Sequence, residues 1–377
     1  EEPTQNLETI GRIYFSLGKL YEDLVKFQEG YKYYQLALEC FKESGSEAEE
    51  LSIIYNNLGN YYSQISKYEE ATKYYTMGLE RENKKGTDSE KLALLHINLG
   101  QCMTYQGHAS TALDHYQKAL EYLQTFSKKN SEHPLIISAL RGMAHLYQQL
   151  GKNDQALRHL EKALEAIQIC FKGEHKELGL IYSALASNYD DQGEIEKAVE
   201  YQQKAIDLLT EKHGASHPAV AEALNDMAVI YFKADLQQAI LHLNRASQIL
   251  SNVKDPIPLI GTVYSNIGFA HLKAGNLEKA REFYQKAIDF VERNNGEDYD
   301  HLATFYSNLA ETYWEKEQYE ESLVVYEKAC NLLRKSFGEN HPLFSDIYFN
   351  MGVAYAFKEE WEKAVSFYER ALRLKED

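Results

Sequence analysis

The chain has 377 residues, a formal net charge of −17, and 57 acidic against 40 basic side chains. A surface this negative repels nucleic acid and anionic lipid, so neither is an expected partner. No run approaches the roughly 18 apolar residues of a membrane-spanning helix, and the N-terminal EEPTQNLETI is unlike a targeting peptide, which together favour a cytoplasmic location.

Neither a metal nor a catalytic site is predicted. Cysteines 40, 102, 170 and 330 lie far apart, without a CxxC pair or a histidine at ligand spacing, and are expected to be reduced thiols. His133, His217 and His341 recur at one register in separate units, which indicates a structural role. The signatures GxSxG, HExxH and GxxxxGK[ST] are absent, so the chain is predicted not to be an enzyme and to need no cofactor.

One pattern returns nine times along the chain. The phrase YSNIG at residues 264–268 reappears as YNNLG, YSNLA, YFNMG and HINLG, and alignment on it gives units with a period of about 42 residues. The units begin near Gly11, Ser52, Ala93, Ile137, Gly179, Ala221, Gly261, Ala303 and Ser345.

Each unit is predicted to be a helical hairpin. A large residue at the fourth place, an aliphatic one at the seventh, Gly or Ala at the eighth and usually Tyr at the eleventh share one helix face. A turn follows, with glycine in many units (Gly151, Gly193 and Gly275), and then a second helix such as EKAREFYQKA at 278–287. Pro134, Pro218, Pro258 and Pro342 each stand three residues before a unit, where a first-turn proline costs no hydrogen bond.

The pattern resembles the tetratricopeptide repeat over nearly the whole chain. Its period exceeds the 34 residues of the commonest version and is similar to that of kinesin light chains and related adaptors, as in HPAVAEALNDMAVIY at 217–231 and FGENHP at 337–342. The resemblance implies an all-α fold, a right-handed α-solenoid of about nine hairpins forming one superhelix over residues 1–377. It also implies that the first helices line a concave groove.

The sixth place of the first helix is the sharpest candidate for ligand binding. It lies about 200° from the fourth place around the helix, away from the packing face, and the resemblance implies that it faces the groove. Asparagine or aspartate holds this place in six units, at Asn57, Asn98, Asp226, Asn266, Asn308 and Asn350. Gly142 and Ala184 interrupt the ladder in units four and five.

Two roles remain open for each of these asparagines. An amide has both a donor and an acceptor, so a ladder of amides can hold an extended peptide. Alternatively, each asparagine bonds across to the neighbouring repeat. If the amides bind ligand, alanine at Asn266, Asn308 and Asn350 together is expected to weaken the partner and leave the melting profile nearly unchanged.

Units six to nine supply further groove residues. The predicted apolar anchors are Phe232, Phe269, Trp314, Phe349 and Phe357, although Phe232 and Trp314 have the alternative of packing under the following repeat. The charges in the same stripe are mostly acidic, at Glu222, Asp226, Glu311, Glu315 and Asp346, against Lys233 and Lys273. We therefore expect a partner peptide with apolar anchors flanked by Lys or Arg.

The predicted function is a non-catalytic adaptor or scaffold that binds a segment of another protein in its groove, chiefly at units six to nine. The alternatives are a peptide-sensing module similar to bacterial pheromone receptors, or the regulatory part of a larger enzyme. Unit six lacks the turn glycine and leaves through the proline-bearing NVKDPIPL, which predicts a change of pitch at 232–259. The last unit is expected to leave Ala364, Ala371 and Leu372 uncovered, and the face they form is expected to be covered by further sequence of a longer protein, by a partner or by a second copy of the chain.

Overall fold

The computed structural model describes residues 2–24, 26–85, 89–126, 133–172, 177–253, 257–294, 299–339 and 341–376. Every regular element in these ranges is an α-helix, and the helices number eighteen, two for each of the nine predicted repeats. The all-α solenoid of helical hairpins predicted from the sequence is confirmed. The chain divides into two compact units, Glu1–Gln192 and Gly193–Asp377, and repeat five contributes one helix to each.

The first unit holds helices α1 to α9. Their bounds are α1 Glu2–Asp23, α2 Phe27–Glu43, α3 Glu50–Gln64, α4 Tyr68–Lys85, α5 Ser89–Tyr105, α6 Ala109–Phe126, α7 Pro134–Gln149, α8 Asn153–Phe171 and α9 Leu178–Asp191. The second unit holds α10 Ile195–His213, α11 Pro218–Tyr231, α12 Leu236–Ser251, α13 Leu259–Lys273, α14 Leu277–Arg293, α15 Tyr299–Trp314, α16 Tyr319–Phe337, α17 Leu343–Phe357 and α18 Trp361–Glu376.

The arrangement of contacts makes the first helices the inner layer of each unit. Each helix packs on the next along the chain, and first helices of neighbouring repeats also contact one another, as in α5 with α7 and α13 with α15. Among the described residues, second helices of neighbouring repeats make no comparable contact. First helices of neighbouring repeats therefore lie closer together than second helices do, and each unit curves toward its first helices. The face of the first helices that carries the sixth-place residues lies on this concave side.

The small residue at the eighth place lets a tyrosine of the second helix pack directly against the backbone of the first helix. A Cβ on Gly59 would lie 2.5 Å from Tyr75 Cε1, and one on Gly268 would lie 2.8 Å from Tyr284 Cδ1. Both tyrosine side chains are at most 2 % exposed. The predicted use of small residues to bring helix backbones together is thus explained by these rings, which need the space that a side chain would occupy.

Turns and helix starts follow from local chemistry. Gly151, Gly193 and Gly275 have φ between 66° and 77°, the left-handed region that favours glycine. Repeat six has no such glycine, and Asp235 caps α12 instead, its Oδ1 accepting from Gln237 N at 2.9 Å and from Gln238 N at 3.2 Å. Of the predicted change of pitch at 232–259, residues 254–256 lie outside the described residues, and the change stays a prediction.

The three recurring histidines start helices. His133 Nδ1 accepts from Leu135 N at 3.2 Å, His217 Nδ1 from Ala219 N at 3.1 Å, and His341 Nδ1 from Leu343 N at 3.4 Å. In each case the proline between the two residues has no N–H to offer, so the imidazole satisfies the next free amide of the first turn. Their shared register reflects this capping role.

The last repeat corrects one expectation. Ala364 and Ala371 are buried, at 3 % and 6 % exposure, because these small residues face the hairpin interior, where Ser345 Oγ of α17 donates to the Ala371 carbonyl at 3.1 Å. Leu372 is exposed as predicted, together with Trp361 and Val365. Within the described residues, no helix has the length and apolar character needed to cross a bilayer.

Candidate functional site

The sixth-place amides of the second unit reach back to the preceding repeat. Asn266 Nδ2 donates to Asn225 Oδ1 at 2.8 Å, and Asn308 Nδ2 donates to Ser265 Oγ at 3.2 Å. Both acceptors hold the fifth place of the repeat before. Asn350 instead lies near the Tyr326 hydroxyl of the second helix of repeat eight and opposes the effect of burial, which raises the pKa of that hydroxyl. The Nδ2 donors of Asn266 and Asn308 are therefore used between repeats.

The first unit repeats this arrangement. Asn98 Nδ2 donates to Asn56 Oδ1 at 2.8 Å, with a longer contact of 3.4 Å to Asn60 Oδ1, and Asn57 Oδ1 accepts from its neighbour Asn56 Nδ2 at 3.3 Å. All five sixth-place asparagines are half-buried. A bond between repeats, the role left open by the sequence, is thus observed for Asn98, Asn266 and Asn308.

These bonds change what we expect of alanine variants. Asn266→Ala and Asn308→Ala should each lower the free energy of unfolding by about 1 kcal/mol, because each removes a partly buried hydrogen bond between repeats. Urea denaturation followed by circular dichroism measures this. Asn331→Ala is the matched control, since exposed Asn331 bonds only Arg334 on its own helix at 2.9 Å. An unchanged denaturation profile for the double variant would show that the bridging bonds contribute nothing to stability.

The predicted anchors form two aromatic pairs between neighbouring repeats. Phe232 meets Phe269 edge to face with ring centroids 5.0 Å apart, and Trp314 meets Phe357 in the same way at 5.7 Å. Phe232 and Trp314 are half-buried against the cores below them, whereas Phe357 is 59 % exposed and Phe349, beside Tyr368, is 55 % exposed. Phe232 and Trp314, the twelfth-place residues, therefore pack under the next repeat. Phe269 covers the first of them and Phe357 covers the second.

The surroundings of these pairs are acidic. Burial raises the pKa of Asp226 to about 6, and the charge of Glu222 adds to the effect. Burial likewise raises the pKa of Glu311, with Lys273 acting in the opposite direction. Lys273 Nζ lies 5.2 Å from the Phe269 centroid, and Lys233 is exposed. The Trp314 Nε1 donor is buried and has no acceptor among the described residues. Acidic side chains and a buried indole donor that lacks an acceptor in the described part of the chain therefore surround the aromatic pairs.

A cavity lies in the first unit, where the sequence predicts an interrupted ladder. It is a partly open pocket of about 280 Å³ on the inner faces of α5, α7 and α9. Gly142 and Ala184 hold the sixth place in repeats four and five, so neither repeat supplies the amide that stands there elsewhere. The Tyr116 ring fills the space beside Gly142, with Cε1 2.5 Å from where a Cβ would lie. The sequence signal for this cavity is the loss of bulk at two successive sixth places, which predicts only an interruption of the ladder.

No arrangement for metal binding is found in the part of the chain that the structure describes, where no three His, Cys, Asp or Glu side chains come together. Cys40, Cys102 and Cys330 are free thiols, and burial raises the pKa of the Cys102 thiol to about 11. The side chain of Cys170 lies outside the described residues. The groups that the described inner faces offer to a ligand are therefore aromatic rings, amides and carboxylates.

Comparisons with known proteins agree with the repeat pattern. The tetratricopeptide repeat family matches residues 9–81, 135–211, 181–252, 259–335 and 302–377. Among curated relatives, KINESIN LIGHT CHAIN-RELATED 2 of Arabidopsis thaliana is 28 % identical over 195 residues, which cover 51 % of this chain and 28 % of that protein. KINESIN LIGHT CHAIN-RELATED 1 is 25 % identical over 174 residues, or 46 % and 28 % of the two chains. The chain thus spans about a quarter of these relatives' length.

Solved structures share the fold. BtubC (BKLC) from P. vanneervenii has a TM-score of 0.52 at 22 % identity, covering 61 % of this chain and 92 % of that one. A Rap protein complexed with Competence and Sporulation Factor has a TM-score of 0.56 at 15 % identity, covering 99 % and 98 %. The predicted likeness to kinesin light chains is confirmed at the level of the repeats, and the chain belongs to the tetratricopeptide repeat family.

Proposed function

We propose that the chain is a non-catalytic adaptor or scaffold that binds an extended segment of a partner protein on the inner face of repeats six to nine. Membership of the tetratricopeptide repeat family supports a role in protein interaction. The observation that carries the finer proposal is the exposure of Phe349 and Phe357 on α17, the inner helix of the last repeat. Exposed aromatic residues on a concave face are typical binding anchors.

The charges around the anchors indicate the partner. Asp226, Glu311, Glu222 and Glu315 make the face acidic, so Lys or Arg beside apolar anchors is the complementary sequence. The free Oδ1 atoms of Asn266 and Asn308 accept no hydrogen bond from the described residues, and they are suited to main-chain N–H groups of the partner. Each of these two asparagines thereby uses its Nδ2 donor to bond the preceding repeat and offers its Oδ1 acceptor to the ligand.

A selected peptide tests the proposal. A random peptide library is selected against the intact chain, and the affinity of an enriched peptide is measured by fluorescence polarisation. We expect apolar anchors flanked by Lys or Arg in the enriched sequences. Phe349→Ala with Phe357→Ala should weaken binding at least about tenfold, because truncated anchors at interface centres commonly cost more than 1 kcal/mol. The double variant should fold normally, since both rings are more than half exposed.

Phe27→Ala is the control, because Phe27 is a 39 % exposed phenylalanine in the other unit. The affinity should also fall from pH 7 to pH 5, since Asp226, with a pKa of about 6, loses its charge over that range. Enriched peptides that bind the double variant as tightly as the native chain would refute the proposed face.

A peptide-sensing module is the second candidate function. It is favoured by the full-length fold match to the Rap protein solved with Competence and Sporulation Factor. At 15 % identity this likeness concerns the fold alone. A sensor would change its affinity for a second protein when the selected peptide binds, whereas an adaptor would hold both independently, and a competition titration distinguishes the two. A regulatory part of a larger enzyme and self-association through Trp361, Val365 and Leu372 remain further proposals.

A further inference from the structure

The cavity of the first unit offers binding chemistry that the adaptor function leaves unused. It is bounded by three successive inner helices, α5, α7 and α9, and belongs to a different unit from the aromatic face. The amide ladder is missing here, because Gly142 and Ala184 hold the sixth places. An extended main chain would therefore find none of the ladder amides in repeats four and five.

The guanidinium of Arg141 lies in the wall of the cavity and is held in one orientation. Arg141 Nε donates to Glu177 Oε2 at 3.2 Å, and the Ser138 hydroxyl donates to the other oxygen of the same carboxylate. The Arg141 side chain is 33 % exposed, whereas that of Glu177 is 9 % exposed, so the guanidinium is the partner that meets the cavity. Its two Nη groups have no hydrogen-bond partner among the described residues. The carboxylate thus orients Arg141 through Nε and leaves the Nη fork for a ligand.

The rest of the lining is polar and uncharged. Gln101, Gln148, Ser183 and Ser187 line the cavity, and their side chains make no hydrogen bond to any residue that the structure describes. Burial lowers the pKa of His145, and the nearby charge of Arg141 lowers it further, so the imidazole is neutral at pH 7. Arg141 is therefore the charged group that a ligand would meet in this lining, and neutral donors and acceptors surround it.

The volume indicates the scale of the ligand. A partly open pocket of 280 Å³ has room for a molecule on the order of nine non-hydrogen atoms, at roughly 30 Å³ for each water displaced. The ring of Tyr105 lies 5.3 Å from that of His145, and the Tyr116 ring forms part of the lining, which gives the polar site an aromatic wall. These dimensions suit one compact molecule better than a length of polypeptide.

We propose that this cavity binds a free, compact carboxylate of about nine non-hydrogen atoms, whose carboxylate accepts two hydrogen bonds from the Nη groups of Arg141. Further oxygen atoms of the ligand accept hydrogen bonds from Gln101, Gln148, Ser183 and Ser187. The chain then carries a small-molecule site in its first unit, separate from the proposed protein-binding face of the second.

Glutarate is the probe, because it has nine non-hydrogen atoms and a carboxylate at each end. Its binding to the intact chain is measured by titration calorimetry, with uncharged glutaramide as the matched ligand of the same shape. We expect glutarate to saturate the chain with a Kd of about 1 mM or lower, and glutaramide to bind at least about tenfold more weakly, since an ion pair with two hydrogen bonds is lost.

Two variants assign the binding to the cavity. The double variant Arg141→Gln with Glu177→Gln removes both charges, so neither is left buried and unpaired, and should weaken glutarate at least about tenfold. Ala184→Leu fills the cavity and should abolish binding, whereas Ala184→Ser, of nearly unchanged volume, should retain it. Circular dichroism of each variant verifies that the helices are intact.

Three results would overturn the proposal. The first is the lack of saturable glutarate binding to the native chain, and the second is equal affinity of glutarate and glutaramide. The third is binding of the peptide acetyl-Gly-Glu-Gly-amide in place of glutarate, because the site would then recognise an acidic side chain of a polypeptide. None of these outcomes bears on the aromatic face of the second unit, which is tested by its own peptide.

Discussion

Tyr116→Ala should lower the free energy of unfolding by about 3–5 kcal/mol, the range measured for truncating large buried aromatic residues. Tyr116 on α6 is fully buried and serves two repeats at once. A Cβ on Gly100 would lie 2.9 Å from its Cε1 atom, and a Cβ on Gly142 of the next repeat would lie 2.5 Å away from the same atom. Truncation therefore opens a void between repeats three and four that neither glycine can fill.

Two further variants act as controls. One removes only the hydroxyl of Tyr116, and the other truncates a different, exposed tyrosine. Tyr116→Phe should cost less than about 1 kcal/mol, because the hydroxyl has only a long contact of 3.5 Å with Thr104 Oγ1. Tyr105→Ala should cost about 1 kcal/mol, since Tyr105 is 44 % exposed and stacks on Tyr68. Urea denaturation measures all three. A loss below about 1 kcal/mol for Tyr116→Ala would contradict the view that this ring joins the two repeats.

The chain should lose about 2–3 kcal/mol of stability between pH 7 and pH 4 through His96 alone. His96 on α5 is 5 % exposed, and its Nδ1 lies 2.8 Å from Nδ1 of His115. Burial, together with the charges of His115 and Lys118 and against the opposing effect of Asp114, lowers the pKa of His96 to about 4. Each unit of pKa difference from the unfolded value of about 6.5 corresponds to about 1.4 kcal/mol.

The direction follows from which state takes up the proton first. Above pH 6.5 His96 is neutral in both states and contributes no pH dependence. Below pH 6.5 the unfolded chain is protonated while the folded chain is not, so stability falls until the pH reaches the folded pKa of about 4. In His96→Tyr, which restores the fourth-place tyrosine of other repeats, this part of the pH dependence should vanish.

The comparison is between denaturation midpoints of native chain and variant at pH 7 and pH 4, because histidines of lowered pKa that do not contact His96 contribute equally to both. Equal losses in the native chain and in His96→Tyr would mean that His96 is not the titrating group.

The repeat could be predicted because its packing is local. The eighth-place glycine, the turn glycine and the first-turn proline each act within one hairpin, so nine copies in register reveal the same contacts nine times. Gly268 beneath Tyr284 is one such contact. The sequence contains no comparable signal for the division of the chain into two compact units, because that division depends on the packing between repeats.

The site could be predicted only in part, because side chains with two possible partners are assigned by neighbouring repeats. Asn266 was identified as the polar residue outside the packing face, yet its bond to Asn225 depends on the offset between α11 and α13. Phe357 was identified as an anchor, but its exposure beside Trp314 depends on the same kind of offset.

The sequence by itself determined the all-α class, the nine repeats and a polar stripe distinct from the packing face, because helical periodicity assigns each side chain to a face. Only the tertiary structure decided which residues of that stripe bond to one another and where the inner face opens into a cavity. The physical reason is that Arg141 and Glu177 meet across repeats, 36 residues apart in the chain, and the distance between stacked hairpins is not written in the period of either one.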